Sequence, residues 1–114
     1  MDTATPDQAL CRVDDIPDGG AIAVDAALRD GEESVIVLRR DDMVRAYLNI
    51  CPHAGRRLDW APGKFLLKDK LLICAAHGAS FQDADGLCVG GPCRGEHLRA
   101  VAVRVTDGEV WLDD

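Results

Sequence analysis

The chain has 114 residues, 47% of them hydrophobic, which is enough for one domain with a usable core but not comfortably for two. A net charge of -7 excludes nucleic acid as the main partner, because phosphate binding needs a basic surface, and suits docking onto a basic patch of another protein. No apolar run approaches the roughly 20 residues that span a bilayer, so no membrane partner is expected. The opening MDTATPDQAL carries acids where a secretory signal needs positive charge. Five cysteines cannot form a complete disulfide set. A cytoplasmic location, with thiols serving as metal ligands or buried side chains, is the expectation.

Residues 1–9 are polar, contain Pro6, and are expected to form a flexible N-terminus ahead of a single domain spanning 10–114. Short apolar runs then alternate with turn signals, the pattern of an all-β chain. AIAV (21–24) follows the Gly19-Gly20 turn, and DAALRDG (25–31) hints at a helical turn stopped by Gly31. SVIVLRR and MVRAYLNI flank Asp41-Asp42 as a hairpin, with Val44, Ala46, Leu48 and Ile50 on one face. KFLLKDKLLICAA reads as two short strands around Lys68-Asp69-Lys70. SFQDADGLCV reads as a hairpin turning at Asp85-Gly86. HLRAVAVRV alternates with Val101, Val103 and Val105 on one face, and Thr106-Asp107-Gly108 turns it into EVWLDD.

Two Cys/His pairs carry the chemistry. NICPHAG supplies Cys51 and His53, and CAAHG supplies Cys74 and His77, each pair following a predicted strand and preceding a glycine. Two such loops at the tips of neighbouring hairpins can bring four ligands together. A Cys₂His₂ set can hold one Zn²⁺ in a zinc-stabilised interaction module. A Cys-x-His pair is tight for gripping one ion, however, and convenient for reaching two metals a few ångströms apart.

At these residues, and with Phe81 followed by Gly86 and the Gly90-Gly91-Pro92 loop, the chain resembles the Rieske ferredoxin family from about Cys11 to Leu112. The resemblance implies an all-β fold: a β-sandwich or barrel-like base of antiparallel sheet with a cluster-binding subdomain at about 49–93. It implies one 2Fe–2S cluster, with Cys51 and Cys74 on one iron and His53 and His77 on the other. The Gly90-Gly91-Pro92 turn would cover the cluster. Respiratory members carry an extra cysteine in each cluster loop, joined as a disulfide. The matching positions here are Arg56 and Ala76. Their potential-raising hydroxyls fall at Ala79 and Phe81, which have none. The sequence holds three histidines, so once two are used His97 alone cannot build an oxygenase's mononuclear iron site. What the resemblance leaves is a soluble electron carrier, not an enzyme, between a reductase and a terminal oxidoreductase such as a Rieske oxygenase. The small subunit of an assimilatory nitrite reductase is the related alternative.

The remaining chemical side chains have plainer readings. Cys88 and Cys93 frame the covering loop, CVGGPC, as packed thiols or as a redox pair. Cys11 reads as a core thiol and His97 as a surface residue at a strand end. Trp60 and Trp111 read as core or rim packing. Arg56, Arg57 and Arg94 flank the cluster end, where they steer a partner or are simple solvated charge.

Overall fold

The computed structural model describes residues 9–28, 31–52, 55, 57–61, 63–74 and 78–113. The expected flexible N-terminus therefore lies outside the described residues, apart from Ala9. Among the described residues the regular structure is all strand except for one 3-10 turn at Val13–Asp15. The strands in chain order are β1 (Ala9–Arg12), β2 (Ala21–Leu28), β3 (Gly31–Arg40), β4 (Met43–Leu48), β5 (Leu66–Lys68), β6 (Leu71–Ile73), β7 (Ser80–Gln82), β8 (Cys88–Gly90), β9 (Ala100–Val101), β10 (Val103–Thr106) and β11 (Glu109–Leu112).

They form a three-stranded sheet, β1-β11-β10, and two four-stranded sheets, β2-β3-β4-β9 and β5-β6-β7-β8. Every pairing is antiparallel. The first two sheets make the base. Between them lies an aliphatic core that includes Ile16, Val35, Val37, Ala46, Leu48 and Val110. The third sheet is a lobe of three-residue strands, with its own core of Leu58, Leu72, Phe81 and Leu98.

Strand β3 explains how one chain serves both cores. Its run Val35-Ile36-Val37-Leu38 is at most 1% exposed throughout. Side chains alternate across a strand, so Val35 and Val37 enter the base core while Ile36 and Leu38 enter the lobe core. Strand β4 repeats the division, with Ala46 and Leu48 on the base side and Tyr47 on the lobe side. The Tyr47 hydroxyl donates to the Asp83 carbonyl at 2.9 Å. Arg40 grips the Asp83 carboxylate with Nε at 2.7 Å and Nη2 at 3.2 Å, a second tie between base and lobe.

The turns follow their residue chemistry. Asp69 and Lys70 both have positive φ between β5 and β6, as do Asp107 and Gly108 between β10 and β11. This is the conformation that suits two-residue hairpin turns to twisted strands. Two sequence expectations fail. Asp25–Leu28 is not helical but continues β2, pairing from Asp25↔Ser34 to Leu28↔Gly31. HLRAVAVRV is not one strand. It breaks at Ala102, with β9 joining β4 in one sheet and β10 joining β11 in the other. Val101 and Val103 pack on the base core, but Val105 is 48% exposed, and Ile50, beyond the end of β4, is 42% exposed.

Candidate metal centre

Two loops of the same local shape present the two described ligand candidates. Beyond β4, the Gly55 amide donates to the Cys51 carbonyl at 2.8 Å. Beyond β6, the Gly78 amide donates to the Cys74 carbonyl at 2.9 Å. Each bond closes a turn from a cysteine to the glycine four residues later. Gly55 and Gly78 have φ of 68° and 73°, a region that strains any residue with a side chain. Each turn begins at a thiol that is at most 1% exposed, and both thiols belong to the lobe core. His53, His77, Arg56 and Ala76 lie outside the described residues.

Buried side-chain contacts hold the loops. Asn49 is 1% exposed; its Oδ1 accepts from the Leu58 amide at 2.8 Å and its Nδ2 donates to Ser34 Oγ at 3.3 Å. One amide thus fastens both ends of the first loop to β3. Sequence reasoning passed over Asn49; its signal was an amide side chain just before the Cys/His pair. Farther along, Asp59 accepts from Arg57 through Nε at 3.0 Å and Nη2 at 2.7 Å, and from the Gly63 amide at 3.0 Å. Burial works to raise the Asp59 pKa, but the Arg57 hydrogen bond, the Gly63 amide and the Arg57 charge outweigh it and hold the carboxyl below its ordinary value. Arg57 is therefore ion-paired rather than a freely available steering charge, while Arg94 is exposed on the covering turn.

That covering turn presses on the second loop. A Cβ at Gly91, where φ is 94°, would stand 2.7 Å from the Ala79 Cα, so only glycine fits. On either side of it, Cys88 and Cys93 face each other, with the Cys93 thiol donating to Cys88 Sγ at 3.3 Å. Backbone bonds fix this pairing: the Cys88 amide to the Glu96 carbonyl at 2.7 Å, Gly95 to Cys88 at 3.0 Å, and Glu96 to Cys93 at 2.9 Å. Burial, then the hydrogen bond and charge of Cys88, then those of Cys51, raise the Cys93 pKa well above the ordinary thiol value. Ala79 and Phe81, the positions without hydroxyls, are fully buried beside the thiols.

The other candidates sit apart. Cys11 is half-buried against the base core. Its pKa is raised to about 11, chiefly by burial and then by the charge of Asp15. His97 is exposed and bridges Leu87. Trp111 packs at the rim with Arg104 over its ring at 5.7 Å, whereas Trp60 is 60% exposed and packs in neither core.

The donor set fits an iron–sulfur group. Soft thiolates in an apolar shell are what such clusters take, and five cysteines without a disulfide leave them available. The Rieske 2Fe-2S domain family matches residues 7–106, and the chain belongs to that family, whose members carry one 2Fe–2S cluster per domain. Its relatives include electron-transfer components. The ferredoxin component of the alkene monooxygenase system of Xanthobacter autotrophicus is 31% identical over 105 residues, covering 90% of this chain and 77% of that one. The ferredoxin of carbazole 1,9a-dioxygenase from Nocardioides aromaticivorans is similar at 30% identity and a TM-score of 0.74, covering 92% and 94% of the two chains. A ferredoxin-containing complex of reduced oxygenase and oxidised ferredoxin in carbazole 1,9a-dioxygenase matches at 25% identity and a TM-score of 0.74, covering 92% and 90%. Among the described residues no helix is long and apolar enough to cross a membrane.

Proposed function

We propose that this chain is a one-electron carrier between a reductase and a terminal oxygenase, with Cys51 and Cys74 holding one iron of its cluster and His53 and His77 the other. The observation that carries the reading is the pair of matching cysteine-to-glycine turns, each beginning at a buried thiol in the same small core. A bound 2Fe–2S cluster supplies a couple that gains and loses one electron. The protein's part is to hold the two thiols fixed, exclude water with Leu58, Leu72 and Phe81, and keep the covering turn closed through Gly91. The ferredoxin–oxygenase complex among the similar structures supports an oxygenase as the acceptor. The free thiols fit a reducing, cytoplasmic setting. We assign the cluster-holding part to residues 49–93 of a single domain, since the thiols and the covering turn all fall within it. With no hydroxyl at Ala79 or Phe81, the midpoint potential lies toward the lower end of the Rieske range, roughly -150 mV.

The test is ligand replacement. Protein expressed with adequate iron and handled anaerobically is expected to be brown and to give a Rieske-type paramagnetic spectrum once reduced. Cys51→Ser and Cys74→Ser are expected to lose most of that signal, and His53→Ala to lose or destabilise it. The loaded protein is expected to restore turnover when added to a reductase and an oxygenase. A colourless wild-type protein containing one zinc per chain overturns the reading.

A further inference from the structure

The proposed site uses two of the five cysteines, and two of the others meet at the ends of the covering turn. Cys88 and Cys93 are each 1% exposed, and their sulfurs stand 3.3 Å apart. Both thiols are donors, Cys93 to the Cys88 sulfur and Cys88 to the Gly90 carbonyl at 3.1 Å, so both carry their protons while the turn is closed. The Cys88 amide bonds the Glu96 carbonyl, the Gly95 amide bonds the Cys88 carbonyl, and the Arg94 amide bonds the Gly91 carbonyl at 3.3 Å. These bonds hold Cys88 opposite the segment that carries Cys93, so the sulfurs return to the same contact whenever the turn closes. A disulfide holds its sulfurs about 2.0 Å apart, and rotation of the two side chains from 3.3 Å closes that gap.

We infer that Cys88 and Cys93 are a modification site for peroxide, an oxidisable dithiol whose disulfide latches the covering turn. Hydrogen peroxide oxidises one thiol to a sulfenic acid; its O–O bond breaks and one water leaves. The neighbouring thiol then attacks that sulfur, the S–S bond forms, and the hydroxyl leaves as a second water. Each sulfur gives up one electron, and the peroxide takes both. Neither sulfur meets solvent in the closed turn, so opening of the turn gates the first step. Closure then favours the disulfide over further oxidation, because it returns the partner thiol to the oxidised sulfur. The ring from Cys88 to Cys93 encloses Gly91, which rests against Ala79, the residue after the glycine that closes the Cys74 turn. The disulfide therefore restrains the cover where it touches the second cysteine loop, and a thiol reductant frees it again. The thiol pair stands on its own geometry. Only its effect on the cluster rests on the proposed reading of Cys51 and Cys74 as ligands.

The experiment treats the cluster-loaded protein with excess hydrogen peroxide, removes the peroxide, unfolds the chain in acid, alkylates its thiols and maps the tryptic peptides by mass. Cys74, Cys88 and Cys93 all fall in the peptide Leu71–Arg94. That peptide is expected to carry one alkyl group, on Cys74, and to weigh two hydrogens less; prior treatment with a thiol reductant is expected to restore three alkyl groups. Gly91→Ala, which loosens the turn, is expected to speed the change severalfold. Three alkyl groups after peroxide, sulfinic or sulfonic acid at Cys88 or Cys93, or a disulfide joining either of them to Cys51 overturns the inference. Cluster release, followed by loss of colour, is expected to be severalfold slower in the disulfide form than in the untreated protein. Peroxide is expected to bring no such slowing in Cys93→Ser. Equal release rates with the disulfide mapped overturn the latch. A wild-type protein without the Rieske-type spectrum removes the cluster reading, and the peptide map still decides whether the dithiol closes.

Discussion

The base core is aliphatic and is fed by strands of up to ten residues, as in β3. The lobe core contains four cysteines, and the strands of its own sheet have three residues each. The first is an interior that secondary structure and side-chain volume can stabilise alone. The second has little ladder of its own and leans on the Ile36, Leu38 and Tyr47 side chains of the base. The difference teaches where stability and function are lodged. The lobe gives up regular structure to bring loops together, and the base supplies the rigid wall against which those loops are set.

Adjacent positions on β3 offer the largest test of that division. Ile36→Ala opens a cavity on the lobe side and is expected to lower unfolding free energy by about 2–5 kcal/mol. Val37→Ala opens one on the base side and is expected to cost about 2–3 kcal/mol, from two lost methyl groups and the space they leave. Urea unfolding measures both. Cluster release, followed by the bleaching of colour, separates them: it is expected to accelerate in Ile36→Ala much more than in Val37→Ala. Equal acceleration would mean that the two cores open as one unit.

Gly91→Ala should act on the lobe alone. Positive φ at a residue with a side chain costs about 1–3 kcal/mol, and the added methyl would also meet the Ala79 backbone. Hydrogen exchange is expected to quicken at the Cys74 and Gly95 amides while the β2–β3 ladder stays protected. A uniform rise across both regions would break the comparison.

The smallest effect belongs to the base. Cys11 has its pKa raised to about 11, against about 8.5 for an unfolded thiol. The folded state therefore holds the proton over a range where the unfolded state has lost it. The stabilisation is complete below about pH 8.5 and fades as pH climbs toward 11. Thermal midpoints of wild type are expected to fall more between pH 8 and pH 10.5 than those of Cys11→Ala. Parallel curves would show that this thiol is as solvated in the fold as out of it.

Much of the base was legible because alternation and turn residues agree there, as at Asp107-Gly108 and in the run ahead of Asp41. Asp25–Leu28 misled because alanine and leucine favour helix locally, while four cross-strand pairs with β3, continuing the four of Ala21–Val24, fix the segment as strand. The break at Ala102 was invisible for a different reason: both halves alternate correctly, and only the sheet each one joins distinguishes them. Within the site, Cys51 and Cys74 announced themselves by spacing. Asn49 and Gly91 did not, since their importance comes from Leu58 and Ala79, nine and twelve residues away. The pairing of Arg57 with Asp59 was within reach of the sequence but needed the local turn to bring the carboxylate round.

The lobe leaves the base at the end of β4 and returns at β9, and these two strands are paired neighbours through Ala46↔Val101 and Tyr47↔Ala100. The Leu48 amide donates to the Arg99 carbonyl at 2.9 Å, so exit and entry points are stitched together. Residues 49–99 thus form a cassette plugged into one socket. The framework's hydrogen bonds close this long excursion at its neck, and the bonds of Arg40 and Tyr47 to Asp83 tie it to the base again farther out. Its floor is made of host side chains, Ile36, Leu38 and Tyr47, so changes of length are best borne where its loops meet solvent rather than against those strands.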